Sequence, residues 1–322
     1  MKIGISFPSF ARDEFAVPPE RLKQFAQTVE ENGFGGLWMP EHLVRPPTYK
    51  TSFMDPLTTV AEMAGATERL PLGTGILILP LRNPVLLAKR VATVQYLSSC
   101  RVTLGVGLGY NEAEFDSANV PFEERSSRFT EGIELLYRLL HEEEVTFDGD
   151  YYQVENLTIT PRLNRPPEIL LAGSGVDRED GSRFVPMAIK ERMRFADGWL
   201  APGLTADELE HDWKAFASYL KSENEDPAAY AKLAVSYTHL VPNADTELAK
   251  ERQLKVYQQH TTWPKEHYEE NYIIGSIEDV RDGLKEYEKQ GFDQVIALTS
   301  AHDLDGLDRQ LDLWPRHYPE YF

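Results

Sequence analysis

The stretch LGTGILILPLRNPVLLAKRVATVQYLSSCRVTLGVGLGYNEAEF, Leu72 to Phe115, decides the fold. It reads as a strand, a proline-bounded loop, a helix from Pro84 to Leu97, a second strand and a glycine-rich loop. Each strand carries residues that leave bare backbone: Thr74 and Gly75 in the first, Gly105, Gly107 and Gly109 in the second. Without a Cβ, the main chain is open to direct contact with a flat ligand. Two such strands joined by a helix place that ligand at the mouth of a parallel barrel.

The rest of the chain repeats this unit. Short β-prone apolar runs recur at Lys2–Phe7, Gly36–Met39, Leu72–Leu79, Val102–Val106, Glu168–Ala172, Gly198–Ala201, Leu233–Leu240 and Gln294–Leu298. Helical patterns separate most of them, among them Pro19–Asn32, Pro84–Leu97, Arg125–Glu143, Ala206–Ser222 and Ile277–Gln290. Asn32-Gly33 reads as a left-handed helix stop, and Ser276 with Asp279 as a capping-box start. Eight strands alternating with helices favour a (β/α)8 barrel, although pattern alone leaves a doubly wound sheet open. Residues 1–322 read as one barrel domain with insertions at 145–163, 178–194 and 242–272. The first holds a hairpin-like Asp148-Gly149 turn. Such loops commonly cover the active face of a barrel.

Composition narrows the function. The net charge is −19, from 33 basic and 52 acidic residues, which disfavours nucleic-acid binding. The acidic runs Glu142-Glu143-Glu144 and Glu223 to Asp226 read as solvated faces. The apolar fraction of 42% is ordinary for a folded domain. No run of eighteen apolar residues suggests a membrane span, the N-terminus does not read as a signal peptide, and the lone Cys100 fits a reducing compartment. A cytoplasmic location is expected. The eight histidines show no metal-ligand spacing, so no metal site is expected. The run Gly105 to Tyr110 fails the dinucleotide fingerprint, whose third glycine would fall at Tyr110.

The same segments resemble the bacterial luciferase-like flavin-dependent oxidoreductases. The resemblance rests on GTGILILPLRNPVLLAK, followed by Leu97-Ser98, Arg101 to Gly109 and the acidic Glu114 before Phe115. It extends through Ile3–Pro8, Gly36–His42, Pro167–Gly175, Ala196–Leu200 and Gly275–Leu298, and so covers nearly the whole chain. It implies a barrel that binds reduced flavin, as FMN or the deazaflavin coenzyme F-420, for oxygenation or hydride transfer on a small organic substrate. A homodimer and a separate flavin reductase are expected as partners.

Carried over residue by residue, the resemblance assigns Glu41 to flavin contact and His42 to acid/base catalysis. His42 also follows a strand end, where barrel catalytic groups sit. Thr74, Gly75 and Ile76 would form a bulge with a non-prolyl cis peptide behind the flavin ring. Gly107 and Gly109 would lie under the ring, with Asn111 beside its polar edge. Gly173, Ser174 and Gly175 would bind the phosphate; Arg178 and Arg183 are candidate phosphate ligands, with solvated charge the simpler reading of each. Trp263, Tyr268 and Tyr272 are candidates for a pocket roof or for ordinary packing. Two other classes fit Glu41 and His42 less fully: a flavin-independent barrel hydrolase or isomerase, and a non-catalytic flavin binder.

Overall fold

The computed structural model describes residues 1–7, 10–11, 18–301 and 303–322, and eight of its strands close into a parallel barrel. These are β1 (Lys2–Ser6), β2 (Leu37–Met39), β3 (Leu72–Ile78), β4 (Val102–Gly107), β5 (Glu168–Ala172), β6 (Gly198–Ala201), β7 (Ala231–Tyr237) and β8 (Gln294–Leu298). Consecutive strands pair, and β8 closes on β1 with Lys2 opposite Gln294 and Ile5 opposite Ala297. The closed barrel replaces the doubly wound alternative. Every strand predicted from the sequence is a barrel strand. The largest shift is in β7, which ends at Tyr237 rather than Leu240. There the backbone leaves the sheet, and the Leu240 N–H donates to Gln310 Oε1 at 2.7 Å.

The helices are α1 (Pro19–Glu31), α2 (Pro56–Ala66), α3 (Pro84–Leu97), α4 (Glu112–Ser117), α5 (Arg125–His141), α6 (Met187–Arg192), α7 (Ala206–Ser222), α8 (Thr246–His260), α9 (Lys265–Asn271), α10 (Ile277–Lys289) and α11 (Leu304–His317). Their ends follow local chemistry. Gly33 takes φ +78° just past α1, and Ser276 and Asp279 complete a reciprocal capping box at α10. Asn83 starts α3 by accepting the N–H groups of Val85 and Leu86.

Trp38, Leu170, Leu200, Leu233 and Ile296 pack together inside the barrel. Trp38 donates its indole N–H to Gln294 at 2.9 Å. Two glycines serve this packing, and one of them, Gly105, was expected to expose backbone to a ligand instead. A Cβ on Gly73 would lie 2.4 Å from the Trp38 ring, and one on Gly105 would lie 2.2 Å from the Thr74 carbonyl.

Of the three segments read as insertions, 145–163 forms an antiparallel pair, Val145–Asp148 with Gln153–Leu157, turned by a Gly149 N–H bond to the Tyr152 carbonyl. Segment 178–194 carries the second strand of a short pair, Val176–Asp177 with Arg183–Phe184, and then α6. Segment 242–272 forms α8 and α9. Among the described residues no helix is long and apolar enough to cross a membrane.

Candidate functional site

A cavity of about 440 Å³ opens at the C-terminal ends of the barrel strands. Its lining steps round the mouth: Ser6 and Phe7 after β1, Pro40 to His42 after β2, Gly75, Ile76 and Ile78 in β3, Gly109 and Tyr110 after β4, and Ala172, Leu200 and Val235 beyond. The roof is aromatic. Tyr49 and Phe53 come from the loop after β2, and Trp263 and Tyr272 from the α8–α9 segment. The two roof pieces are joined by backbone bonds from Lys50 N–H to the His260 carbonyl and from Thr262 N–H to the Thr48 carbonyl. Only the last of the three segments read as insertions therefore reaches the cavity. Tyr268 packs fully buried behind the roof rather than lining it. Burial raises the pKa values of Tyr49, Tyr237 and Tyr272, so these phenols stay neutral.

His42 lies on the cavity wall, 4.7 Å from the Phe53 ring and 5.0 Å from Tyr49 between centroids. Its Nδ1 is 3.3 Å from Glu114 Oε1, and the same oxygen accepts the Leu43 N–H at 2.6 Å. Glu114 is completely buried. The carboxylate holds the ring through Nδ1, so Nε2 is the ring nitrogen not engaged by Glu114. Sequence reading placed Glu114 in the motif but gave it no role. The partners are 72 residues apart, and only closure of the barrel brings α4 beneath the loop after β2.

Glu41 also lines the cavity, but both its oxygens are occupied. Oε2 accepts the Ile78 N–H at 2.6 Å, and Oε1 accepts the Arg82 guanidinium, which also reaches Asp55 at 3.3 Å. Burial raises its pKa, and the pull of Arg82 and the Ile78 N–H in the other direction does not cancel that rise. Glu41 thus ties the loop after β2 to the end of β3.

Between these anchors β3 carries the expected bulge. The Gly75–Ile76 peptide is cis, and the β3–β4 register shifts between Thr74 and Leu77. Gly75, Ile76 and Gly109 line the cavity. Thr74 is fully buried and donates its hydroxyl to the Gly105 carbonyl at 2.8 Å, so it locks β3 to β4 and is not part of the lining. Gly107 is a second departure: a Cβ there would lie 2.5 Å from Ile76 Cδ1, so its bareness seats Ile76 rather than a ligand. Asn111 sits next to the lining residue Tyr110, with its Nδ2 buried and without a hydrogen-bond partner.

The loop after β5 is engaged differently. Gly173 gives its carbonyl to the Trp199 indole N–H at 2.8 Å, and the Gly175 N–H donates to Asp212 Oδ2 at 2.6 Å. Asp212 is fully buried, and Arg183 grips both its oxygens at 2.9 Å. Burial raises the Asp212 pKa, but the bonds from Arg183, Gly175 and His211 outweigh it and hold the group below the usual range. Arg183 also meets Glu208 and Asp177, so it is neither solvated charge nor an unpaired cation. Arg178 stacks over Phe184 at 4.3 Å. Within Gly173 to Gly175, the Gly175 N–H is thus committed to the protein, and none of the three lines the cavity.

A Cβ on Gly109 would lie 2.6 Å from Ile78 Cγ2, so it too packs against the protein while its backbone lines the cavity. The open Gly75–Ile76 bulge and the apolar walls fit a flat tricyclic ring, with the unpartnered Asn111 Nδ2 next to the lining residue Tyr110. A closed parallel barrel with such a cavity at its C-terminal mouth defines the structural class. The chain belongs to the luciferase-like monooxygenase family, whose model matches residues 1–263. It is 32% identical over 166 residues to the F-420-dependent glucose-6-phosphate dehydrogenase of Kineococcus radiotolerans, covering 51% of this chain and 49% of that protein. It is 28% identical over 218 residues to the F-420-dependent hydroxymycolic acid dehydrogenase of Mycobacterium tuberculosis, covering 67% and 58%. The chain therefore spans about half of the first relative and under two-thirds of the second. Among solved structures, the monooxygenase RslO1 from Streptomyces bottropensis superposes with a TM-score of 0.83 at 21% identity over 100% of both chains. An F-420-dependent secondary alcohol dehydrogenase in complex with an F-420–acetone adduct gives 0.79 at 18% identity, again over 100% of both. At those identities the likeness is one of fold.

Proposed function

We propose that the chain is a cofactor-dependent oxidoreductase that uses reduced FMN or coenzyme F-420 at the barrel mouth, with His42 as its acid/base. The observation that carries this reading is the His42–Glu114 pair on the wall of a cavity whose floor is the Gly75–Ile76 bulge. When bound, the cofactor supplies the redox chemistry: hydride exchange for the deazaflavin, or electron delivery to oxygen for reduced FMN. Gly75, Ile76 and Gly109 would support the ring, and Asn111 would bond its polar edge. Gly173 and Ser174 remain the candidates for the phosphate.

The protein's own contribution is position and proton management. Glu114 holds the imidazole by Nδ1, so that Nε2 takes a proton from a substrate hydroxyl or returns one to a substrate oxygen. The aromatic roof excludes water from the reacting centre. The curated relatives named above are F-420-dependent dehydrogenases, which supports hydride transfer ahead of oxygenation. We further read the protein as a cytoplasmic homodimer, the exposed Leu86, Tyr96 and Leu97 of α3 supporting self-association. A separate flavin reductase would be needed only if FMN is the cofactor.

Titration of FMN and F-420, each oxidised and reduced, with fluorescence as the readout, tests the reading. Quenching by one of them is expected, and oxygen uptake with the reduced form then separates oxygenase from dehydrogenase. No binding of either would remove the central claim.

A further inference from the structure

The cavity's charge inventory carries a statement about the substrate. Among its described lining residues there is no lysine or arginine. The charged or titratable lining groups are Glu41, His42, His260 and Asp303, together with the neutral tyrosines. Glu41 is already bonded to Arg82 and the Ile78 N–H. Asp303 caps α11 by accepting the Gly306 N–H at 2.7 Å, and its side chain is 66% exposed, which places it at the rim. His260 Nε2 lies 3.1 Å from the Ala301 carbonyl.

The remaining surface is mostly ring faces and aliphatic groups; its hydroxyls come from Ser6, Thr299 and Ser300, of which Ser6 donates to the Phe7 carbonyl at 3.3 Å and Thr299 to the Thr238 carbonyl at 3.2 Å. Tyr49 stands 5.4 Å from Trp263 and 5.2 Å from Phe53, and Tyr237 stands 5.0 Å from Tyr272 and 5.8 Å from Trp263, between ring centroids. Tyr49 and Tyr237 are hydrogen-bonded to each other through their hydroxyls, so the wall spends two of its polar groups on itself. Ile76, Leu200, Val235, Leu298 and Leu307 fill the gaps. A phosphate or carboxylate buried here would lose its hydration without gaining a cation from the described lining residues. A cation would meet aromatic faces, which attract it, but would find no unengaged carboxylate in the interior.

We propose that this site selects an uncharged, largely apolar, ring-bearing substrate with a single oxygen function for His42, and excludes phosphorylated sugars. The inference rests on the functional reading above in placing the reacting oxygen at His42. The relative that acts on glucose 6-phosphate by its name is thus not a guide to what this chain takes.

A charge series at fixed ring size tests it. Binding of acetophenone, benzoate and phenyltrimethylammonium to the cofactor-loaded protein is measured by calorimetry, with glucose and glucose 6-phosphate alongside. Acetophenone should bind at least tenfold more tightly than each of the other four. Benzoate, the ammonium probe or glucose 6-phosphate binding as tightly as acetophenone overturns the proposal, as does absence of acetophenone binding. Phe53→Arg and Trp263→Arg would each supply the missing cation. At least one of them, folded by circular dichroism, should raise benzoate affinity tenfold or more; two folded variants without that gain would contradict the charge argument. If neither FMN nor F-420 binds, the functional reading falls, and the same series on the bare chain still decides the selectivity.

Discussion

The β3–β4 and β5–β6 sides of the barrel mouth both follow apolar strands with glycine, and the fold uses them in opposite ways. Beside β3, Gly75 and Gly109 leave backbone facing the cavity. After β5, Gly175 hands its N–H to Asp212, which Arg183 holds from the other side. The carboxylates behind the two mouths differ in the same sense. Burial wins at Glu41 and raises its pKa, whereas at Asp212 hydrogen bonds overcome burial and lower it. A glycine after a strand thus signals that something approaches closely; whether a ligand or the protein itself does so depends on which side chains the closed barrel delivers.

The largest expected effect lies on the first side. His42→Ala should lower turnover about 10²–10⁴-fold while changing cofactor affinity much less. An equal loss from Arg183→Met, with the fold intact, would erase the functional distinction between the two mouths. Steady-state rates at saturating cofactor decide it.

Glu114→Gln should follow, with a loss of about 10–100-fold, the worth of a hydrogen bond to a charged group. The amide keeps an acceptor for the Leu43 N–H, so thermal stability should fall far less than turnover does. Turnover unchanged in Glu114→Gln would show that His42 needs no carboxylate behind it.

A matched pair sharpens the comparison further. A Cβ at Gly75 meets nothing closer than Trp38 Cβ at 3.6 Å, an ordinary contact. Gly75→Ala should therefore keep the fold and weaken cofactor binding about tenfold, the loss of about 1.4 kcal/mol of contact. A Cβ at Gly175 would lie 2.5 Å from Asp212 Oδ1. Gly175→Ala should leave cofactor affinity nearly alone and cost about 1–3 kcal/mol of stability, as a buried bond is broken. Denaturant unfolding together with cofactor titration reads both; a reversed pattern would exchange the roles of the two mouths.

This contrast also explains what was legible beforehand. Parallel strands buried on both faces write themselves as short apolar runs bounded by Gly and Pro, so Lys2, Leu72, Val102, Glu168, Gly198 and Gln294 each begin a strand where the sequence places one. His42 was visible at a strand end, while the Gly75–Ile76 bulge came only from the family resemblance, the residues themselves showing no more than a glycine that permits it. The partners that give them meaning were not visible. Glu114 meets His42, Arg82 meets Glu41 and Tyr49 meets Trp263 only across loops far apart in sequence. Glycine was misleading for the same reason: Gly105 and Gly107 accommodate the Thr74 carbonyl and Ile76, which no local pattern reveals.

The smallest expected effect is a difference in sign with pH. Asp212 has a depressed pKa in the folded chain, so its contribution is present above its ordinary value of 3.8 and is lost as pH falls through the folded value. Glu41 has a raised pKa, so its contribution is present below its ordinary value of 4.5 and is lost as pH rises through the folded value. Asp212→Asn should therefore be most destabilising near neutrality, and its deficit relative to the parent should shrink on acidification. Glu41→Gln should behave oppositely, gaining on the parent as pH rises above 4.5, because the amide avoids burying a charge while still accepting the Ile78 N–H. Each unit of pKa shift moves the balance by about 1.4 kcal/mol. Urea midpoints of parent and both variants across the acid range check this, and parallel curves for the two substitutions would show that the carboxylates behind the two mouths are balanced alike.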